Sequence, residues 1–124
     1  EQQDATQDLG WRGLWAPAVV TPKGGTTGGV AILAPSTVQV TAPPALEQHL
    51  LWEGRMMAAH VHWGMKGGIV LVTLYMDTEL GLEGTNLPML WRAIEYAGAL
   101  NQLGFHWCIL GDFNMSVEEL DKGN

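Results

Sequence analysis

His106-Trp107-Cys108-Ile109-Leu110-Gly111-Asp112-Phe113-Asn114 is an apolar run that ends in a glycine, a carboxylate and an amide. The run reads as a buried strand that delivers an acid and a hydrogen-bonding side chain to one edge of a sheet. In α/β folds that edge, at the carboxyl ends of the strands, is where ligands bind. An aspartate there can orient or deprotonate a water. An asparagine can hold a phosphoryl oxygen without adding negative charge.

Working back from this strand, Pro88 suits the first turn of a helix. Leu90, Ile94, Ala97 and Leu100 recur at helical spacing through Leu103, with Arg92 and Glu95 on the opposite side and Gly104 as the stop. Ile69 to Tyr75 is a β-branched, continuously apolar strand, the pattern expected when both faces are covered. Asp77, Thr78 and Glu79 follow at its carboxyl end. Asp77 and Glu79 read as a solvated acidic loop or as partners of Asp112 in a cation site. Gly64 to Gly68 forms a turn between this strand and a second candidate, Arg55 to Trp63. Beyond the opening run, Ser116 and Glu119 have capping-box spacing and predict another helix near Val117.

The first third of the chain is more broken. A polar helix is expected up to Leu9, closed by Gly10. Trp15 to Thr21 reads as a short strand. Lys23-Gly24-Gly25-Thr26-Thr27-Gly28-Gly29 is a turn into the strand Val30 to Ala34, making a hairpin pattern. It lacks the spacing and the following helix of a phosphate-binding loop. Pro35 to Leu51 reads as a loop with a short edge strand around Val38 to Val40.

With 124 residues, 47% of them hydrophobic, the chain can build one small domain with a core. Formal net charge is −7, from six Lys plus Arg against thirteen acids, which disfavours non-specific nucleic-acid binding by the chain alone. A phosphoesterase stays open, because a divalent cation can bridge carboxylates to phosphate. No apolar run has the length of a membrane span and no signal-peptide pattern opens the chain, so no membrane association and an intracellular setting are expected. The lone cysteine, Cys108, sits in the apolar strand and reads as a small buried hydrophobe. The six tryptophans form no repeat, and most of them read as packing residues rather than a base-stacking platform. His60 and His62 alternate on one strand face and could begin a zinc site, but lack a third ligand at suitable spacing. They read as ordinary strand histidines.

Taken together, Thr27-Gly28-Gly29-Val30-Ala31-Ile32-Leu33, Gly54-Arg55 with its strand, Ile69 to Tyr75, and Trp107 to Asn114 resemble the endonuclease/exonuclease/phosphatase superfamily. That is the family of type I deoxyribonuclease, exonuclease-III-like abasic-site endonucleases, inositol polyphosphate 5-phosphatases and retrotransposon endonucleases. The resemblance runs from about Gly10 to about Leu120. It implies an α/β (α+β) fold, part of a four-layered α/β sandwich with a mixed sheet and flanking helices, incomplete at both ends. Residues 1–124 would form a single fragment of such a domain.

The resemblance also assigns roles. Asp112 would orient the attacking water and ligate Mg2+ (or Mn2+), Asn114 would contact the scissile phosphate, and Tyr75 would approach that phosphate. Met76-Asp77 stands where the family usually has a proline after the tyrosine. Read on the residues alone, Asp112 is a turn or cap residue with a satisfied side chain; the resemblance is what makes it catalytic. The family's metal-binding Glu, an earlier Asn and a later Asp-His pair fall outside this stretch. The implied function is a fragment of a Mg2+-dependent phosphoester hydrolase, an endonuclease cleaving phosphodiester bonds, with the isolated fragment expected to be inactive. Its partner would be nucleic acid or another phosphoester substrate. The alternative is a catalytically dead remnant that binds or self-associates through an exposed sheet face.

Overall fold

The computed structural model describes residues 10–46, 48–76 and 84–112. They form a mixed α+β fold, mostly sheet with one long helix. The chain opens with β1 (Trp11–Ala16) and β2 (Val19–Val20), then returns through β3 (Thr26–Thr27) and β4 (Val30–Pro35). The two arms pair from Trp11 against Pro35 to Ala16 against Val30, and again at Val19 against Thr27 and Val20 against Thr26. This is the expected hairpin, longer than its sequence suggested. Pro17, which cannot donate to a ladder, and Gly28-Gly29 interrupt it midway and split it into two short sheets.

The central sheet contains β5 (Val40–Thr41), β6 (Leu50–Trp52), β7 (Met56–Val61), β8 (Ile69–Tyr75) and β9 (Trp107–Asp112). Its order is β5-β7-β8-β9, with β6 beside β5 along the same edge of β7. Strands β7 and β8 form an antiparallel hairpin, whereas β8 and β9 are parallel. A parallel pair needs a crossover, and helix α1 (Asn86–Leu103) supplies it. Gly104 ends α1 in the left-handed conformation, with φ +80°, as its position predicted.

Three layers result. On one face of the sheet α1 packs Met89, Ala93, Tyr96 and Leu100 against Met56, Ala58, Val70, Val72 and Leu74. On the other, Ala16 and Ile32 of the β1–β4 arms meet Met57, Ala59 and Val61. β7 is therefore buried on both faces, and its small Ala58 and Ala59 let each outer layer approach closely. β8 alternates strictly: Val70, Val72 and Leu74 are buried under α1, while Ile69, Leu71, Thr73 and Tyr75 are half-buried on the hairpin side. Full burial of a Val or Leu side chain, as at Val70, Val72 and Leu74, stabilises the fold by about 1.5–3 kcal/mol.

One expectation is corrected. The buried stripe of α1 is Asn86, Met89, Ala93, Tyr96, Ala97 and Leu100, and Ile94 points outward at 47% exposure. Apolar residues occupy both sides of this helix, Leu87 and Trp91 also being exposed. Leu90, Ala97 and Leu100 do face the core as expected; Ile94 alone is displaced, and Ala93 takes its place because a small residue lets the helix approach the sheet more closely. The opening helix to Leu9, the acidic segment Asp77 to Glu79 and the capping box at Ser116 and Glu119 lie outside the described residues.

Candidate active site

The carboxyl edge of the sheet gathers three side chains in a row. In the β8–β9 register Tyr75 lies opposite Asp112, and the Met76 N–H donates to the Asp112 carbonyl at 2.9 Å. Both residues sit on the sheet face away from α1, because their neighbours Leu74 and Gly111 occupy the helix side of the ladder. Arg55, just before β7, comes to the same edge because β7 runs antiparallel to β8. The Tyr75 N–H donates to the Arg55 carbonyl at 2.7 Å. Neighbouring strands lie about 4.8 Å apart, so Arg55, Tyr75 and Asp112 span about 10 Å of sheet edge.

Gly111 makes the last step of β9 possible. Its φ is +150°, and a Cβ there would overlap the Leu74 carbonyl oxygen. A side chain would push β9 off β8 just where Asp112 must be presented. Asp112 itself is exposed. Asn114 and Phe113 lie outside the described residues.

The Arg55 guanidinium stacks over the Tyr75 ring, 5.0 Å from its centroid, and donates through Nη2 to Thr27 Oγ1 at 2.6 Å. Thr27 comes from β3, so the nested hairpin reaches over the sheet edge. Backbone contact sets that approach: the Gly29 N–H donates to the Gly54 carbonyl at 2.6 Å, and a Cβ on Gly28 would overlap the same carbonyl. Gly28-Gly29 and Gly54-Arg55, two of the sequence elements behind the family resemblance, meet in space here.

Sequence reading picked out Tyr75 and Asp112 as site residues, and the fold brings them side by side. Thr27 and Arg55 were not chosen. Counting outward from the Gly64–Gly68 turn sets Trp63 against Ile69 and therefore Met57 against Tyr75; the observed register pairs Val61 with Ile69 instead, and that two-residue shift brings Arg55 to Tyr75. Thr27 had no local signal either, because its approach depends on how the first hairpin lies on the sheet.

The histidines gather at the other end of β7. His60 Nε2 donates to the Gly67 carbonyl at 2.6 Å, and His62 Nε2 shares a 2.7 Å hydrogen bond with Thr41 Oγ1. Their rings lie 4.0 Å apart, and Phe105 meets His60 edge-on. Desolvation first, then the neighbouring His60, holds His62 below the ordinary imidazole value. His49 donates to the Trp15 carbonyl at 2.6 Å, fastening the loop before β6 to β1. Among the described residues, no three His, Cys, Asp or Glu side chains cluster closely enough to hold a metal ion. For a divalent cation at the Tyr75–Asp112 edge, the described residues thus fit one carboxylate ligand and not a complete shell.

No family model, curated protein or solved structure matches the chain. Among the described residues no helix is long and apolar enough to cross a membrane.

Proposed function

We propose that this chain is part of a divalent-cation-dependent phosphoester hydrolase of the endonuclease/exonuclease/phosphatase kind, cleaving phosphodiester bonds. One observation carries the reading: the parallel register sets Tyr75 beside Asp112 at the carboxyl edge of the sheet, with Arg55 completing the row. Tyr75 and Asp112 hold the positions that the resemblance assigned to the phosphate and to the water. In this reading the three layers belong to a four-layered sandwich.

The chemistry follows from the side chains. Asp112 orients the attacking water and takes its proton, and it is the carboxylate to which Mg2+ or Mn2+ would bind. Bound there, the cation would neutralise phosphoryl charge. The Tyr75 phenol is a hydrogen-bond donor for a phosphoryl oxygen. Asn114 adds an uncharged contact to the same group. Nucleic acid is the proposed substrate, ahead of other phosphoesters.

Mn2+ titration followed by amide NMR tests the site even when turnover is absent. Line broadening should centre on Tyr75, Met76 and Asp112 and vanish in Asp112→Asn. Where Mg2+-dependent cleavage of DNA is observed, Asp112→Ala should abolish it. Cleavage that survives this change, or broadening centred elsewhere, sinks the assignment.

A second reading, a non-catalytic module that self-associates, draws on Leu110. It is 49% exposed on the face away from α1, on a strand that pairs only with β8 among the described residues. Sedimentation separates the two: self-association abolished by Leu110→Lys, without cation binding at Asp112, favours the module.

A further inference from the structure

We infer that Arg55 is a positioning residue for Tyr75, and that Thr27 on the nested hairpin holds Arg55 in that role. The inference rests on the hydrolase reading for its purpose, but its geometry stands by itself. Arg55 engages Tyr75 twice: its carbonyl accepts the Tyr75 N–H at 2.7 Å, and its guanidinium covers the ring at 5.0 Å from the centroid. A guanidinium over an aromatic face restricts where the phenol can swing, since leaving forfeits the cation–π attraction. Long arginine side chains are otherwise free to choose among many rotamers. Here the Thr27 hydroxyl accepts from Nη2 at 2.6 Å and selects one of them.

Thr27 can perform this service because its own backbone is pinned. The Gly29 N–H donates to the Gly54 carbonyl, and Gly28, with φ +82°, has no room there for a side chain. A Cβ on Gly54, in turn, would crowd Val19 of β2. The residue before Arg55 and the residues after Thr27 are therefore in backbone contact, which fixes the length of the side-chain bridge above them. The chain of control runs from the glycine contact to Thr27, from Thr27 to the guanidinium, and from the guanidinium to the phenol. Lysine could not replace Arg55, because a point charge on a flexible stem has no planar face to lay on the ring while its edge donates to Thr27. The nested hairpin thus belongs to the site as its orienting arm, although it contributes no group to the reacting atoms.

The chain has two tyrosines, so a protein labelled with 13C at the tyrosine rings shows one site signal and one internal control. Tyr96, whose hydroxyl donates to the Pro44 carbonyl beside α1, is the control. Thr27→Val removes the acceptor at an exposed position while keeping the side-chain shape. It should shift the Tyr75 ring signals and speed ring flipping, leaving Tyr96 unchanged, and Thr27→Ser should restore the wild-type signals. Arg55→Lys should resemble Thr27→Val. A Tyr75 signal in Thr27→Val that matches wild type in both position and flip rate overturns the inference, whatever Arg55→Lys does to folding. These signals do not depend on cation binding. Loss of the hydrolase reading would appear only in the Mn2+ titration of Asp112→Asn, so the two failures are distinguishable.

Discussion

Tyr75 and Asp112 lie opposite each other across the parallel β8–β9 ladder, although one ends a hairpin and the other ends a helical crossover. The next amide, Met76 N–H, closes the pair by donating to the Asp112 carbonyl. A phenol and a carboxylate at one strand spacing can face a single small group from two sides. The relationship depends on the tight fit of β9 against β8, and this makes it sensitive to residues that carry no chemistry.

Gly111→Ala should be costly. The added methyl meets the Leu74 carbonyl, and the backbone has φ +150°. Urea denaturation should show a loss of about 1–3 kcal/mol. Gly98→Ala is the contrasting case, in an exposed helix interior with nothing near the new methyl. It should gain about 0.5–1 kcal/mol.

The orientation of α1 can be checked with two truncations. Leu100 is fully buried against the sheet, so Leu100→Ala should lose about 2–5 kcal/mol in equilibrium unfolding. Ile94→Ala removes an outward-facing side chain and should change stability by less than about 0.5 kcal/mol. The reverse order of losses would show that the helix is rotated.

Burial raises the Tyr96 phenol from 10.0 to about 12. The unfolded chain therefore gives up this proton first, so stability is intact below pH 10.0 and drains away as pH climbs toward about 12. Unfolding midpoints across this range should fall. Tyr96→Phe should flatten the fall, and at neutral pH should cost about 0.5–1.5 kcal/mol for the lost bond to Pro44.

At the far end of β7 the sign is opposite. His62 is held below 6.5, so the unfolded chain takes up a proton before the folded one does. Stability should be complete above pH 6.5 and should decline as pH falls below it. The decline should be shallow, because His62 is exposed and solvent screens its charge. His62→Gln should make the acid side of the profile flatter in denaturant titrations.

Much of this fold was readable where local chemistry decides it. Ile69 to Tyr75 forms β8 over its whole predicted span, and Gly104 ends α1 where expected. The strand expected from Trp15 to Thr21 instead begins at Trp11, is interrupted after Ala16 and resumes at Val19. Its partner β4 decides that start, pairing Pro35 with Trp11. On the helix, Leu90, Ala97 and Leu100 face the core as expected, and only Ile94 was misplaced, because Ile94 and Ala93 both satisfy a helical repeat and only the sheet distinguishes a small residue that fits from a large one that does not. Tyr75 and Asp112 could be named from motifs, yet their pairing needs the crossover register. Hairpin counting from Gly64–Gly68 misses Arg55 by two residues, because the loop begins right after Val61, and Thr27 depends on contact between separate layers. Asn114 lies outside the described residues.

The β8–α1–β9 crossover also divides the site by chain entropy. Arg55 and Tyr75 sit on the two arms of one hairpin, so closing the short loop between β7 and β8 suffices to set them side by side. Setting Asp112 beside Tyr75 closes a longer loop that contains the whole of α1. Loop closure costs more entropy as the loop lengthens. The carboxylate is therefore the member of the row whose place depends most on the packing of the helix.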